Sequence, residues 1–136
     1  MITRFGRIKV ETEYIDLSYR LFTRKVGEKE VSVATIEFAL KRPIQPGAET
    51  RDTAKLIKAF IKELVPSHDI TVIVGRGPIW FYGVIQHEIQ HSVKTLAFFD
   101  PKLSGAVIVA QHSYDLPLKE GEVIELPEDV VKELTQ

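Results

Sequence analysis

The sequence predicts one α/β domain over residues 1–136, a sandwich with a mixed sheet that opens on an N-terminal β-hairpin. Three observations carry this. Ile70 to Val74 is a continuous apolar, β-branched run, typical of a strand buried on both faces in a parallel sheet. Leu56, Ile57, Phe60, Ile61 and Leu64 recur at helical spacing until Pro66 stops the run. Upstream of that helix, apolar and polar residues alternate at strand period. Strands and helices taking turns along a chain imply helices layered on a sheet.

Taken in order, residues 7–13 and 17–25 alternate as two strands, and Gly27-Glu28 marks the turn before a longer third, Val31 to Leu40. The loop 41–49, with Pro43, Pro46 and Gly47, leads into the periodic helix. After the central strand, a helix is expected over 78–91, then strands at 94–99 and 106–110 joined by a short turn. Residues 123–126 lead into a short terminal helix. No fixed-period repeat or low-complexity tract interrupts this order.

A chain of 136 residues buries well over half of its unfolded surface, so one core suffices. Hydrophobic residues at 44% and charged residues at 27% match globular chains rather than disordered ones. No run approaches the roughly 18 apolar residues of a membrane span, and the N-terminus lacks a secretory apolar core, so a cytoplasmic protein is expected. The absence of cysteine excludes disulfides, Cys-ligated zinc and thiol nucleophiles. Any metal must use histidine, carboxylate or water. Residues 1–102 hold 16 basic and 12 acidic side chains, residues 103–136 only 2 and 7. That balance argues against long duplex nucleic acid and leaves room for a small anionic ligand.

Three constellations carry chemistry. Gly75-Arg76-Gly77-Pro78 follows a strand and opens a helix, with Pro78 suited to the first helical position. Its glycines would let backbone approach a ligand, the helix dipole would attract an anion, and Arg76 would fork onto phosphate oxygens. The plain alternative is a tight strand-to-helix turn. His87-Glu88-Ile89-Gln90-His91 matches the zincin pattern, two histidines one turn apart on zinc with a glutamate base. Against it stand the missing third ligand and the small size of the chain. Trp80, Val84, His87 and His91 share a stripe that borders the apolar face, so a partly buried, hydrogen-bonded His87 is expected. Asp100-Pro101 ends one strand and His112 the next; Asp100 is placed for proton or metal work, or for turn formation before proline.

With Gly75-Arg76-Gly77-Pro78-Ile79-Trp80, Phe99-Asp100-Pro101-Lys102-Leu103 and Gly105 to Val109 running to His112-Ser113, the chain resembles the Csx-three family of CRISPR-associated ring nucleases (CRISPR ring nuclease three). The similarity covers Val31 to Leu126, and Arg42-Pro43-Ile44-Gln45-Pro46 resembles that family's Lys-Pro-Ile-x-Pro strand exit. Residues 1–30 form the added hairpin. The resemblance implies a CARF-related, Rossmann-like fold and manganese-dependent cleavage of cyclic tetra-adenylate, the second messenger of type III CRISPR defence. It also implies catalytic roles for His91, Asp100 and His112. Lys102 departs from the family's usual arginine, keeping charge but losing the planar fork. One extra residue between Asp100 and His112 is expected to lengthen the hairpin turn at Ser104.

Strand directions raise a problem of reach. Gly75 to Pro78 and Asp100 sit at the carboxyl ends of neighbouring strands, where open α/β sheets bind ligands. His91 lies at the far end of the helix, about 20 Å away at 1.5 Å per residue. His112 is on that far side too, because a short turn makes its strand run back antiparallel. A head-to-tail stack of subunits, or of homodimers, would bring the two ends together around a flat cyclic ligand. The expected enzyme binds phosphate through Gly75, Arg76, Gly77, Pro78 and Lys102. It uses His91, Asp100 and His112 for acid–base or metal work, with attack by the ribose 2′-hydroxyl or by metal-activated water. The alternatives are a sensor or sponge that holds the cyclic nucleotide uncut, and the zincin-like hydrolase.

Overall fold

The apolar run at the centre of the chain forms the middle strand of a seven-stranded mixed sheet, in a computed structural model that describes residues 4–135. The first three residues of the expected hairpin therefore lie outside the described residues. The elements are β1 (Arg4–Glu11), β2 (Ile15–Val26), β3 (Lys29–Leu40), α1 (Ala48–Leu64), β4 (Ile70–Gly75), α2 (Ile79–Ile89), β5 (Thr95–Asp100), β6 (Gly105–Gln111), β7 (Val123–Glu125) and α3 (Glu128–Leu134). Strand order in the sheet follows sequence order. β3, β4 and β5 are parallel, and every other pairing is antiparallel.

This order positions the helices. Two right-handed crossovers that step in the same direction leave their helices on the same face. α1 and α2 accordingly share one core with Leu17, Tyr19, Ile36 and Phe38. The opposite face packs Phe22, Val33, Ile70 and Val72 under Val130 and Leu134 of α3. β4 is buried on both faces, as its unbroken apolar run requires. The strand order never reverses, so the crevice that a doubly wound sheet opens at its reversal point is not built. The carboxyl ends of β3, β4 and β5 are instead flanked by the end of α3. Arg20, only 7% exposed, fastens α3 to the sheet: its Nε lies 2.6 Å from Glu133 and its Nη1 3.9 Å from Glu37. Among the described residues no helix is long and apolar enough to cross a membrane.

Several expected boundaries move by one to three residues, among them both ends of α2. α2 begins at Ile79 with Pro78 as its N-cap, one residue later than expected, and ends at Ile89 rather than at His91. Helix ends commonly shift by a residue or two, but the second shift has a chemical consequence. The added hairpin is present as β1 and β2, extending β3 on its antiparallel side.

Candidate active site

At the carboxyl ends of the parallel strands, Phe38 decides the local structure. A Cβ on Gly75 would lie 2.6 Å from the Phe38 carbonyl oxygen and 2.7 Å from its ring, and one on Gly77 would lie 3.2 Å from Phe81 and 3.3 Å from Phe38. The glycines of Gly75-Arg76-Gly77-Pro78 are thus required by close packing on Phe38 and Phe81, independently of any ligand the backbone of the turn holds. Tyr82 locks the same turn: its hydroxyl donates to the Gly75 carbonyl, and its ring packs against Phe38 and Phe98. Burial pushes the Tyr82 phenol up to about 12, so it stays a donor at neutral pH.

This scaffold leaves Arg76 exposed, on the rim of a cavity of about 430 Å³ that is also lined by Glu37, Leu40, Phe99, Pro101 and Thr135. Arg76 has no ion pair or side-chain hydrogen bond among the described residues, so its five donors face outward. Asp100 ends the neighbouring strand, and its Oδ1 accepts the Lys102 N–H at 2.9 Å. That bond is the turn chemistry expected of Asp before Pro, and it holds one carboxylate oxygen while leaving the other open. The turn occupies 101–104, with Ser104 in the left-handed region at φ 51. Lys102 is exposed on this turn.

The other end of the sheet carries the histidines. Gln90 caps α2 through its N–H to the Gln86 carbonyl, so His91 lies just beyond the helix end. Its ring sits 5.3 Å from that of His112, at 37° between planes. The His112 N–H bonds to the Lys94 carbonyl at 2.8 Å, just below the start of β5. A bulge sets the aim of His112. The β5–β6 register steps from Leu96↔Ala110 to Ala97↔Ile108, leaving Val109 unpaired. This extra residue exchanges the two faces of the strand. Ile108 packs on the α3 side whereas Ala110 packs on the α1 and α2 side, and His112, two residues further, follows Ala110 towards His91.

Sequence reasoning missed the groups that hold His112. Gln111 Oε1 accepts from Thr95 Oγ1 at 2.6 Å and from the Ser113 N–H at 2.9 Å, and its Nε2 donates to the Leu118 carbonyl at 3.0 Å. The Gln111 N–H donates to Glu120 Oε2 at 3.0 Å. Glu120 is held below the usual carboxylate range by backbone N–H groups, its own and that of Gln111, with a smaller contribution from His112. Nothing in the spacing 111 to 120 announces this clamp, because it depends on how loop 112–122 folds back.

His87 is exposed and has no hydrogen bond among the described residues, which corrects the expectation of a partly buried, satisfied histidine. Its stripe on α2 faces a groove rather than the core. The zincin geometry is also not formed, because His91 turns away beyond the helix to His112. The remaining histidine, His68, is half-buried just before β4, bonded through Nδ1 to the Pro66 carbonyl and through Nε2 to Thr71 Oγ1, each at 2.7 Å.

The chain is therefore an α/β protein whose chemistry-bearing side chains are divided between two ends of one sheet. The family described as CRISPR-associated protein (Cas_csx3) matches residues 49–125, more than half of the chain, and the protein belongs to that family. It is also 34% identical over 117 residues to an uncharacterized protein of Aquifex aeolicus (strain VF5), covering 86% of this chain and 93% of that one. No solved structure matches it.

Proposed function

We propose that this CRISPR-associated protein is a ring nuclease that opens cyclic tetra-adenylate to linear oligoadenylate at sites shared between head-to-tail copies, and so ends the signal of type III CRISPR defence. The observation that carries the proposal is the division of the site. His91 and His112 lie side by side at one end of the sheet, and Arg76, Asp100 and Lys102 lie at the other. Paired imidazoles can accept and return protons, and exposed cations suit phosphate. A flat ring of four phosphodiesters held between two such ends meets both sets at once. A CARF-like fold relationship and a dimeric building block belong to the same proposal.

The chemistry balances with this chain's own residues. One imidazole of the His91–His112 pair takes the proton of a ribose 2′-hydroxyl, whose oxygen attacks the adjacent phosphorus as the P–O5′ bond breaks. The other imidazole returns a proton to the leaving 5′-oxygen. The products are a 2′,3′-cyclic phosphate and a 5′-hydroxyl. Arg76 neutralises charge that grows on the phosphoryl oxygens. Asp100 faces the same phosphate from the partner end and orients the histidine that becomes protonated.

Manganese accepts imidazole and carboxylate donors. No three such side chains converge within one copy among the described residues. A junction would supply His91 and His112 from one copy and Asp100 from the next, and there the ion would polarise phosphoryl oxygens. The test is a cleavage assay on cyclic tetra-adenylate, cyclic hexa-adenylate and linear oligoadenylate, with and without manganese. The proposal expects the cyclic tetramer to be cut fastest. Tight binding with no cleavage under any condition would make the protein a sponge or sensor instead.

A further inference from the structure

α1 and α2 meet along a groove that the proposed reaction does not use. At one end is a cavity of about 590 Å³ lined by Pro46, Thr50, Arg51, Trp80, Val84 and His87. This volume lies within the range of small-ligand sites. Trp80 is 42% exposed, and a Cβ at Gly83, which lines the same chamber, would meet nothing within 4 Å. No carboxylate lines this chamber. Further along the same seam lies a second cavity of about 460 Å³, lined by Lys55, Lys58, Lys62, Glu63 and Glu88.

The charges along the seam are ordered. Arg51, Lys55, Lys58 and Lys62 are spaced 4, 3 and 4 residues apart, which places them on one stripe of α1. Lys58 is paired with Glu88 at 3.9 Å. Arg51, Lys55 and Lys62 have no ion pair among the described residues. The stripe from Arg51 to Lys62 runs about 16 Å along the helix, a length that several consecutive phosphates span. An aromatic chamber opening onto a row of cations is the combination that holds single-stranded nucleic acid: a base stacks on the ring, and the backbone follows the charges.

We propose that the α1–α2 groove is a second binding site, for the end of a single-stranded oligonucleotide. A terminal purine lies on Trp80 beside His87, and the following phosphates run along Arg51, Lys55 and Lys62. This site is separate from the composite centre and stands whether or not that centre cleaves a ring. The charge complement selects a polyanion over an apolar peptide, and the exposed ring selects one that carries bases.

Trp80 is the single tryptophan of the chain, so its fluorescence reports the site directly. The probe is linear tetra-adenylate, with inorganic phosphate as the control, titrated into the full-length protein. Tetra-adenylate is expected to quench Trp80 saturably, and phosphate is not. With three phosphates neutralised, affinity should fall about 20-fold between 50 and 200 mM salt. Lys55→Gln and Lys62→Gln should each weaken binding several-fold and flatten the salt slope. In Arg76→Ala, which disables the composite site, the quenching should persist. Absence of quenching overturns the proposal, as does quenching that vanishes in Arg76→Ala but survives Arg51→Ala. Emission that changes with protein concentration alone overturns it too, because the groove would then be a contact between copies.

Discussion

Mixing two inactive variants tests the shared site most directly. Asp100→Asn disables the head end and His91→Ala the tail end. Both residues lie outside the two cores, so each variant should fold with an unchanged melting temperature. The separation is fixed by β5: Asp100 pairs with Gly105 at its end, while His112 bonds to Lys94 just before its start. Six strand steps at about 3.3 Å place the two ends about 20 Å apart, beyond the reach of any side chain. Within one copy the sites cannot meet, so each variant alone should be dead. In an equal mixture that stacks at random, about one junction in four joins an intact tail to an intact head, and about one quarter of wild-type activity should return. The assay is turnover of cyclic tetra-adenylate at fixed total protein, with the two variants mixed before assembly. A mixture that stays inactive, although both variants bind ligand and co-assemble, refutes the shared site.

Four further outcomes are expected. Arg76→Ala should weaken cyclic tetra-adenylate binding by roughly 1.5 to 3 kcal/mol, the usual scale of a charge-assisted hydrogen bond, and unchanged affinity by calorimetry would remove the Gly75–Pro78 turn from the site. Gly75→Ala should lower stability by about 1 to 3 kcal/mol, since the new methyl collides with backbone and ring of Phe38, and a wild-type denaturation midpoint would contradict the packing described. His87→Ala should keep ring cleavage and metal content nearly intact, whereas a zincin would lose both. Burial holds the His68 pKa below its ordinary value despite the Pro66 carbonyl, so the folded state favours neutral imidazole. Its stabilising contribution is complete above the unfolded value of about 6.5 and is lost as pH falls towards the folded one. Thermal melts should show this decline below that pH, and His68→Asn should flatten it.

The sequence by itself determined the order of elements and the end of the sheet on which each group falls. An unbroken apolar run marks β4 and apolar periodicity marks α1, the 101–104 turn is short enough to force β6 antiparallel, and strand direction then sends His112 away from Asp100. Those features are local, set by side-chain period and turn length, and so they are legible in a string of letters. Contacts between distant segments are not. Gly75 and Gly77 read as a loop shaped for a ligand, and the sequence does not show that Phe38, from a strand nearly forty positions earlier, and Phe81 lie against the places where their Cβ atoms would sit. His91 reads as the second histidine of a helical pair until α2 stops at Ile89, and His112 meets it only because Val109 drops out of the β5–β6 ladder and the two faces of the strand change places. A one-residue slip in register redirects every side chain beyond it, and the choice between registers is made by which arrangement packs both faces of the sheet. The histidine pair was therefore decided by the core beneath it, and only the tertiary structure contains that core.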